Sequence, residues 1–148
     1  MELNGETLRF IREHCKDDVR SLALQAPKYP GVDMPVALTQ IAGRQAAAEK
    51  IPSWHEEEGV LYPRHLSLEQ CSSEATARYK ASIIPESSSG TLTDLTGGFG
   101  IDCAFLSPKF HHVTYVERQE VLCEIASHNF PLLGLNHIRI ENKDGIRH

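Results

Sequence analysis

The stretch Thr91–Asp102, TLTDLTGGFGID, constrains the fold of this chain more than any other. Its first residues combine β-branched threonines with two leucines, which predicts a strand over Thr91–Thr96. Three glycines follow at once: Gly97, Gly98 and Gly100. Glycine has no Cβ, so such a turn can adopt left-handed angles and lets a ligand approach the backbone closely. The stretch therefore predicts the nucleotide crevice of a doubly wound sheet, with Asp94 at its edge.

The context of the glycine turn matters, because a similar turn can simply connect a strand to a helix without binding a ligand. A second predicted strand, His112–Val116, is followed by Glu117, in the region where such folds hold a ribose. A third predicted strand, His137–Glu141, leads to Asp144. If the strands are parallel, Asp94, Glu117 and Asp144 come to the same edge of the sheet. A carboxylate there can accept hydrogen bonds from both hydroxyls of a ribose.

Strand and helix patterns alternate over residues 67–148, and a helix is predicted at Gln119–Leu133. Short connections between alternating elements favour an α/β fold, a Rossmann-like parallel sheet. Right-handed crossovers then predict the strand order 3-2-1. Residues 1–66 are predicted to form a helical N-terminal region with a linker.

The N-terminal region is predicted to contain three helices. Asn4 or Thr7 would cap the first and Asp17 the second, because short polar side chains accept hydrogen bonds from the first turn. A loop rich in proline at Lys28–Pro35 separates these from a third helix, Val36–Lys50. We interpret the region as a helical cap on the following domain, with a surface that guides substrate as the functional alternative.

The segment Ile51–Leu66 carries prolines, a glycine and an acidic run, and is predicted to be a linker anchored by Trp54 and Tyr62. Ser67–Ile84 is predicted to be one helix with serine capping near its start. A turn at Ser87–Gly90 would lead into the first strand.

Asp94-Leu-Thr-Gly-Gly-Phe-Gly100 matches the D-x-x-x-G-x-G signature of class I S-adenosylmethionine-dependent methyltransferases, and the chain resembles that family. The resemblance implies that Glu117 holds the cofactor ribose and that Asp144 meets the adenine amino group. It implies S-adenosylmethionine as cofactor and the following binding residues: Asp94, Thr96, Gly97, Gly98, Gly100, Glu117, Arg118 and Asp144. It identifies no catalytic residue in this chain.

Two further runs are similar to enzymes that act on RNA. Asp94–Asp102 together with Tyr115–Arg118 resembles methyltransferases that modify the exocyclic amine of guanine in ribosomal RNA. Gln70–Ala81 resembles bacterial methyltransferases that carry a THUMP-like domain further along the chain. Within it, Tyr79 and Lys80 are candidates for cofactor or substrate contact, although packing for Tyr79 and solvent for Lys80 are the simpler interpretation.

The composition narrows the class of protein. A net charge of -5 and a pI of about 5.9 argue against a stand-alone nucleic-acid binder, so RNA contacts are expected in a further C-terminal part. The four cysteines form no CxxC pair, which favours reduced thiols over a metal site. No apolar run is long enough to cross a membrane and the start does not resemble a signal peptide, so a cytoplasmic location is expected.

The chain ends soon after the third predicted strand, and its eight prolines include no adjacent pair. In the guanine-amine methyltransferases that it resembles, an Asn- or Asp-Pro-Pro element touches the methyl-accepting atom. We therefore expect an N-terminal fragment that does not catalyse transfer by itself. Strand Thr91–Thr96 would then form an edge, covered by the N-terminal helices or, in the favoured alternative, by a second copy in a homodimer.

Two other functions remain open at this point. A nicotinamide-dependent oxidoreductase needs G-x-G-x-x-G, but Gly98-Phe-Gly-Ile-Asp-Cys103 places cysteine at the third glycine position. The third possibility is a non-catalytic interaction module built on a degenerate nucleotide fold. Binding of S-adenosylmethionine or of NAD distinguishes these functions.

Overall fold

The computed structural model describes residues 3–85 and 90–147. In this part of the chain, three strands form one parallel sheet in the order β1-β2-β3. The strands are β1 Thr91–Asp94, β2 His112–Glu117 and β3 Ile138–Asn142. This confirms the α/β class, the parallel pairing and the predicted strand order. The turn predicted at Ser87–Gly90 lies, up to residue 89, outside the described residues.

The first strand is two residues shorter than predicted. Asp94 ends it and pairs with Tyr115 of β2. The Asp94 side chain then accepts a hydrogen bond from the backbone N–H of Thr96 at 3.1 Å, which turns the chain out of the strand direction. Gly97 N donates to the carbonyl of Val116 at 2.8 Å, so the glycine loop stays attached to the end of β2.

The helices that follow the strands have short connections. Helix α7, Ile101–Leu106, follows the glycine loop, and α8, Glu120–Leu132, joins β2 to β3. The prediction of Gln119–Leu133 for the second of these is confirmed to within one residue at each end. Gly134 follows with φ +76, a left-handed conformation that ends the helix as glycine commonly does.

The N-terminal region contains α1 Gly5–Glu13, α2 Val19–Leu24 and α3 Met34–Lys50. Of the two predicted candidates, Asn4 is the residue that caps α1. Thr7 lies inside the helix and is buried. The prediction of Asp17 as the second cap was wrong by one residue, since Asp18 accepts from Ser21 N. Helix α3 begins two residues earlier than predicted, because Pro35 fits the first turn of a helix, where no backbone donor is needed.

The region between α3 and β1 differs from the prediction in two ways: the predicted linker contains a short helix, and the helix predicted after it is interrupted. It contains α4 Pro52–His55, α5 His65–Gln70 and α6 Glu74–Ser82. The single helix predicted over Ser67–Ile84 is therefore wrong. The backbone is extended at Cys71 and Ser73, and the Ser73 side chain accepts from Thr76 N at 3.2 Å to start a new helix.

Two buried amide side chains hold the extended segment between α4 and α5. Gln40 pairs with both the N–H and the carbonyl of Tyr62, at 2.8 and 2.9 Å. Asn129 pairs in the same way with Leu61, at 2.9 and 2.8 Å. These amides satisfy backbone groups that a buried segment could not give to water. The segment is thereby fixed between α3 and α8, and the predicted anchors Trp54 and Tyr62 are both buried.

The core has two parts. The helical cluster joins α1, α2 and the first half of α3: Phe10, Ile11, Leu22, Met34, Ala37 and Ile41. The sheet cluster joins the strands, α7 and α8 to the end of α3 and the segment after it. Within the sheet cluster, Trp54 and Tyr62 both pack against the Phe99 ring, with ring centroids 5.2 and 5.8 Å away. Contacts of the core therefore cross residue 66, the boundary predicted between the two regions.

No helix within residues 3–85 and 90–147 is both long and apolar enough to span a membrane.

Candidate functional site

The carboxyl ends of β1 and β2 border a cavity of about 340 Å³. Six of the eight predicted binding residues line it: Asp94, Thr96, Gly97, Gly98, Gly100 and Glu117. Its other lining residues come from the end of α5 and the loop after it, the glycine loop and the starts of α7 and α8: Gln70, Cys71, Ser72, Phe99, Ile101, Asp102, Gln119 and Leu122. We call this space the glycine-loop cavity.

The three glycines of the loop have different roles. A Cβ at Gly97 would lie 2.3 Å from the Tyr115 ring, and one at Gly100 would lie 2.8 Å from the Phe130 ring. These two glycines allow the loop to pack on the sheet and on α8. Gly98 has φ +55, and a Cβ there would meet only the Thr96 carbonyl, at 3.7 Å. Gly98 is therefore the glycine that leaves room for a ligand.

Tyr115 supports the loop from below. Its hydroxyl donates to the Gly98 carbonyl, and its ring packs edge-on against Phe130 with centroids 5.5 Å apart. Burial raises the pKa of the Tyr115 hydroxyl, so it remains a hydrogen-bond donor. The sequence pattern predicts Tyr115 only as part of a strand and does not indicate its contact with the glycine loop. The only signal available there was a tyrosine two positions before Glu117.

Glu117 ends β2 and is buried, with 8% of its surface exposed. Its Oε1 accepts from Gly98 N at 3.2 Å, and its Oε2 accepts from Gln119 N at 2.6 Å. The carboxylate thus connects the glycine loop to the start of α8. Each carboxylate oxygen has two lone pairs, so both oxygens can accept another hydrogen bond from a ligand in the cavity.

Asp94 lies on the same cavity. Burial raises the pKa of its carboxyl, and the nearby charges of Asp102 and Glu117 raise it further. The hydrogen bond from Thr96 N and the charge of Lys80 act in the opposite direction. Three carboxyl groups therefore surround one small space, which favours a ligand that brings hydrogen-bond donors or positive charge.

The remaining two predicted residues, Arg118 and Asp144, lie in an adjoining groove of about 480 Å³. Thr96, Glu117 and Gln119 line both spaces, so the groove continues the cavity past the end of β2. The Asp144 side chain accepts from Ile146 N at 3.0 Å. The Asn142 amide donates to the Glu117 and Arg118 carbonyls at 2.9 and 3.0 Å and fixes this edge.

Ser72 and Asp102 line the cavity but were not predicted as binding residues, and both contact Lys80, which was a predicted candidate for cofactor or substrate contact. Asp102 accepts from the Ser72 hydroxyl at 3.0 Å and from Lys80 Nζ at 3.1 Å. The simpler interpretation of Lys80 as a solvated side chain is therefore incomplete. The packing expected for Tyr79 is wrong, since 68% of its surface is exposed.

Among the described residues, no group of three or more His, Cys, Asp or Glu side chains is arranged to hold a metal ion. The four cysteines are free thiols. Burial raises the pKa of Cys103 to about 12, and it raises that of Cys71, whose thiol donates to the Leu68 carbonyl. These thiols are protonated at neutral pH and are poor nucleophiles.

Comparison with known proteins gives an informative likeness to a solved structure. Neither the protein-family models nor the curated proteins contain a match to this chain. Among solved structures, the chain is similar to a crystal structure described as a "putative methyltransferase" from Porphyromonas gingivalis W83, with 29% sequence identity and a TM-score of 0.73. The likeness covers 94% of this chain and 34% of that one, so this chain spans about a third of the neighbour's length. The described part of the chain therefore has the α/β fold of a methyltransferase-type domain.

Proposed function

We propose that this chain is the S-adenosylmethionine-binding part of a cytoplasmic methyltransferase. The observation that carries the proposal is the glycine-loop cavity, where the open backbone at Gly98 lies beside the buried carboxylate of Glu117 and where Asp94 also lines the space. The methyltransferase-type fold of the solved neighbour supports it.

The residues present fit this cofactor in three respects. A ligand can approach the backbone at Gly98, in space that a side chain at this position would occupy. Glu117 retains lone pairs for ribose hydroxyls, and the adjoining groove with Arg118 and Asp144 provides space next to it for a base. The carboxylates of Asp94 and Asp102 suit a ligand that carries positive charge. We propose these residues, with Thr96, Gly97 and Gly100, as the binding site.

S-Adenosylmethionine would supply a methyl group on a sulfonium sulfur, which is itself the reactive group. The protein residues then bind, orient and exclude water. Tyr115 and Glu117 fix the loop backbone at Gly98 before a ligand arrives. The pKa of Asp94 is raised by burial and by two neighbouring carboxylates, so added positive charge in the cavity would favour its ionised form.

For the acceptor we propose the exocyclic amine of a guanine in RNA. The support is the resemblance of Asp94–Asp102 and Tyr115–Arg118 to enzymes with this activity. A net charge of -5 gives the chain no overall attraction for a polyanion. We therefore place the RNA contacts outside these 148 residues, in any larger protein to which the chain belongs, and expect no methyl transfer by the chain alone.

Calorimetric titration with S-adenosylmethionine and with NAD tests the proposal. We expect binding of the first and not of the second, because Cys103 is fully buried where a nicotinamide-binding loop needs a third glycine. Preference for NAD would favour an oxidoreductase, and binding of neither would favour an interaction module.

The variant Glu117→Ala identifies the site. It should weaken S-adenosylmethionine by more than about tenfold, because ribose hydroxyls lose a charged acceptor and the loop loses its anchor. Glu120→Ala removes an exposed carboxylate three residues further on and serves as the control with unchanged affinity. Equal affinity in the two variants would remove Glu117 from the site.

A further inference from the structure

A groove of about 610 Å³ lies at the end of the sheet opposite the glycine-loop cavity, and its apolar lining includes Trp54, Phe105 and Leu132. Pro108 and residues 133–135 also line it, in the connections that lead into the amino ends of β2 and β3. The glycine-loop cavity lies at the carboxyl ends of the strands. Among the residues that the structure describes, the two spaces share no lining residue. We call this second space the Phe105 groove.

Arg78 lines the Phe105 groove and is held in place there. Its Cζ lies 4.9 Å from the centroid of the Phe105 ring, and its Nε donates to Glu74 Oε2 at 2.8 Å. Glu74 is fixed in turn, because its Oε1 accepts from the N–H and the hydroxyl of Ser53 at 2.9 and 2.8 Å. The Phe105 ring stacks on Trp54, with centroids 6.5 Å apart and planes at 18°. The guanidinium is therefore oriented before a partner arrives.

The Arg78 guanidinium keeps donors for a further acceptor. Arginine has five N–H donors, and among the described residues the hydrogen bonds of Arg78 come from Nε alone. The Arg78 side chain is 60% exposed, so its Nη groups are open to a partner. Two parallel N–H groups of a guanidinium bind a carboxylate in a bidentate pair. An acidic group therefore complements the charge at this point of the groove.

The rest of the groove decides what can accompany that carboxylate. Leu132 is 42% exposed and the Phe105 ring is only partly buried, which offers apolar surface to a partner. Glu57 also lines the groove, and its carboxylate would repel a polyanion such as a nucleic-acid backbone. Because Arg78 and Leu132 are both exposed, the groove suits a chain segment that lies across it better than an enclosed small molecule.

We propose that the Phe105 groove is a docking site for a partner protein segment in which an acidic residue is next to leucine or phenylalanine. The partner carboxylate accepts from Arg78, and the partner's apolar side chains pack on Phe105 and Leu132. Arginine and aromatic residues are common at the centres of such interfaces. Docking here does not depend on a ligand in the glycine-loop cavity, because the two spaces lie at opposite ends of the sheet.

Trp54 is the only tryptophan in the chain and lines the groove, so its fluorescence reports binding there. The probe is the blocked peptide acetyl-Ala-Leu-Glu-Phe-Ala-amide. One matched peptide has glutamine in place of glutamate, and another has alanine in place of both leucine and phenylalanine. We expect a saturable change in emission with the probe. Each matched peptide should bind at least about threefold more weakly, a modest factor because an exposed ion pair contributes less than a buried one.

The variant Arg78→Met assigns the carboxylate contact. It should weaken the glutamate peptide by about threefold or more and change the affinity for the glutamine peptide by less than about twofold. Arg12→Met is the matched control, because Arg12 is similarly exposed and its Nε also pairs with a glutamate, Glu58, away from the groove. It should leave both affinities unchanged. Urea denaturation verifies that both variants are folded.

Equal affinity of the wild-type chain for the three peptides would overturn the proposal, and so would the absence of any change in emission. An equal loss of both the glutamate and the glutamine peptide in Arg78→Met would also contradict it, since Arg78 would then only shape the groove. If Arg78→Met does not fold, the comparison of the peptides on the wild-type chain still decides.

Octanoate and a short oligouridylate are titrated in the same way. Tighter binding of octanoate than of the glutamate peptide would make the groove a small-molecule site. Tighter binding of the oligouridylate would make it a nucleic-acid contact. Either result would contradict docking of a protein segment.

Discussion

The N-terminal region, residues 3–66, and the glycine-loop cavity both contain buried polar groups, but only those of the N-terminal region are fully hydrogen-bonded. In the N-terminal region, Thr7 accepts from Asp33 N at 3.0 Å, and Gln40 pairs with both the N–H and the carbonyl of Tyr62. Around the cavity, Asp94 has a raised pKa and Asp102 has a buried oxygen without a partner among the described residues. Satisfied polar groups stabilise a fold, whereas carboxylates in excess of their partners are typical of a binding site. Stability and binding should therefore respond to different substitutions.

The largest effect is expected from Ile41→Ala in the helical cluster. Ile41 is fully buried, so the truncation should lower the free energy of unfolding by about 2–5 kcal/mol, measured by urea denaturation. Ile41→Val should lower it by about 0.5–1.5 kcal/mol. At a temperature where both variants are folded, their affinity for S-adenosylhomocysteine should equal that of the wild type. A loss of affinity would show that the two regions are coupled.

Substitutions at two glycines test whether binding can be lost with little change in stability. Gly98 and Gly134 both have left-handed backbones, and Gly134 has open space around a built Cβ. Alanine at either position should cost the fold about 1–2 kcal/mol. Gly98→Ala should also weaken S-adenosylhomocysteine by about tenfold, or about 1.4 kcal/mol, because its methyl group enters the ligand space. Gly134→Ala should leave affinity unchanged, and an equal loss in both would contradict the assignment of Gly98.

Asp94→Asn should change the free energy of unfolding by less than Ile41→Ala does, and in the opposite direction. Its pKa in the folded state is raised above the ordinary value of 3.8, so its contribution to stability is fully present below that pH. The contribution is lost as the pH rises through the raised pKa. Asp94→Asn should therefore be more stable than the wild type at neutral pH, and the difference should vanish on acidification.

Asp144→Asn is the control for this substitution, because Asp144 also accepts a hydrogen bond from the N–H two residues further on. Unfolding curves at several pH values measure both variants. A stability difference between Asp94→Asn and the wild type that does not depend on pH would contradict the prediction.

The smallest effect concerns the open edge of the sheet. Among the described residues β1 pairs only with β2, so its other edge has no strand partner there. We expect this edge to support a weak homodimer that sedimentation detects at high concentration. Thr93→Lys should favour the monomer, because charge on an edge strand opposes pairing. Leu24→Lys places the same charge on the exposed surface of α2 and should have no effect. A strict wild-type monomer would end this proposal.

Much of the sheet could be predicted from the sequence, because the relevant patterns are local. The alternation of β-branched and helical stretches predicted three parallel strands in the observed order. The acidic residues after each strand were expected at one edge, and Glu117 and Asp94 do line one cavity. The break that divides the predicted helix Ser67–Ile84 was not predicted. A serine inside a helix and a serine that caps a new helix look alike in sequence, and only the extended backbone at Ser73 distinguishes them.

Local residues are enough to predict that a strand, a glycine turn and a helix form a crevice, because turn chemistry depends on neighbouring residues. The tertiary structure sets the role of each glycine: Gly97 and Gly100 pack on rings from β2 and α8, and Gly98 remains open. It likewise brought Lys80 to Asp102, which lies 22 positions away in the chain. Such contacts depend on how distant elements pack, and a local pattern of residues carries no information about that distance.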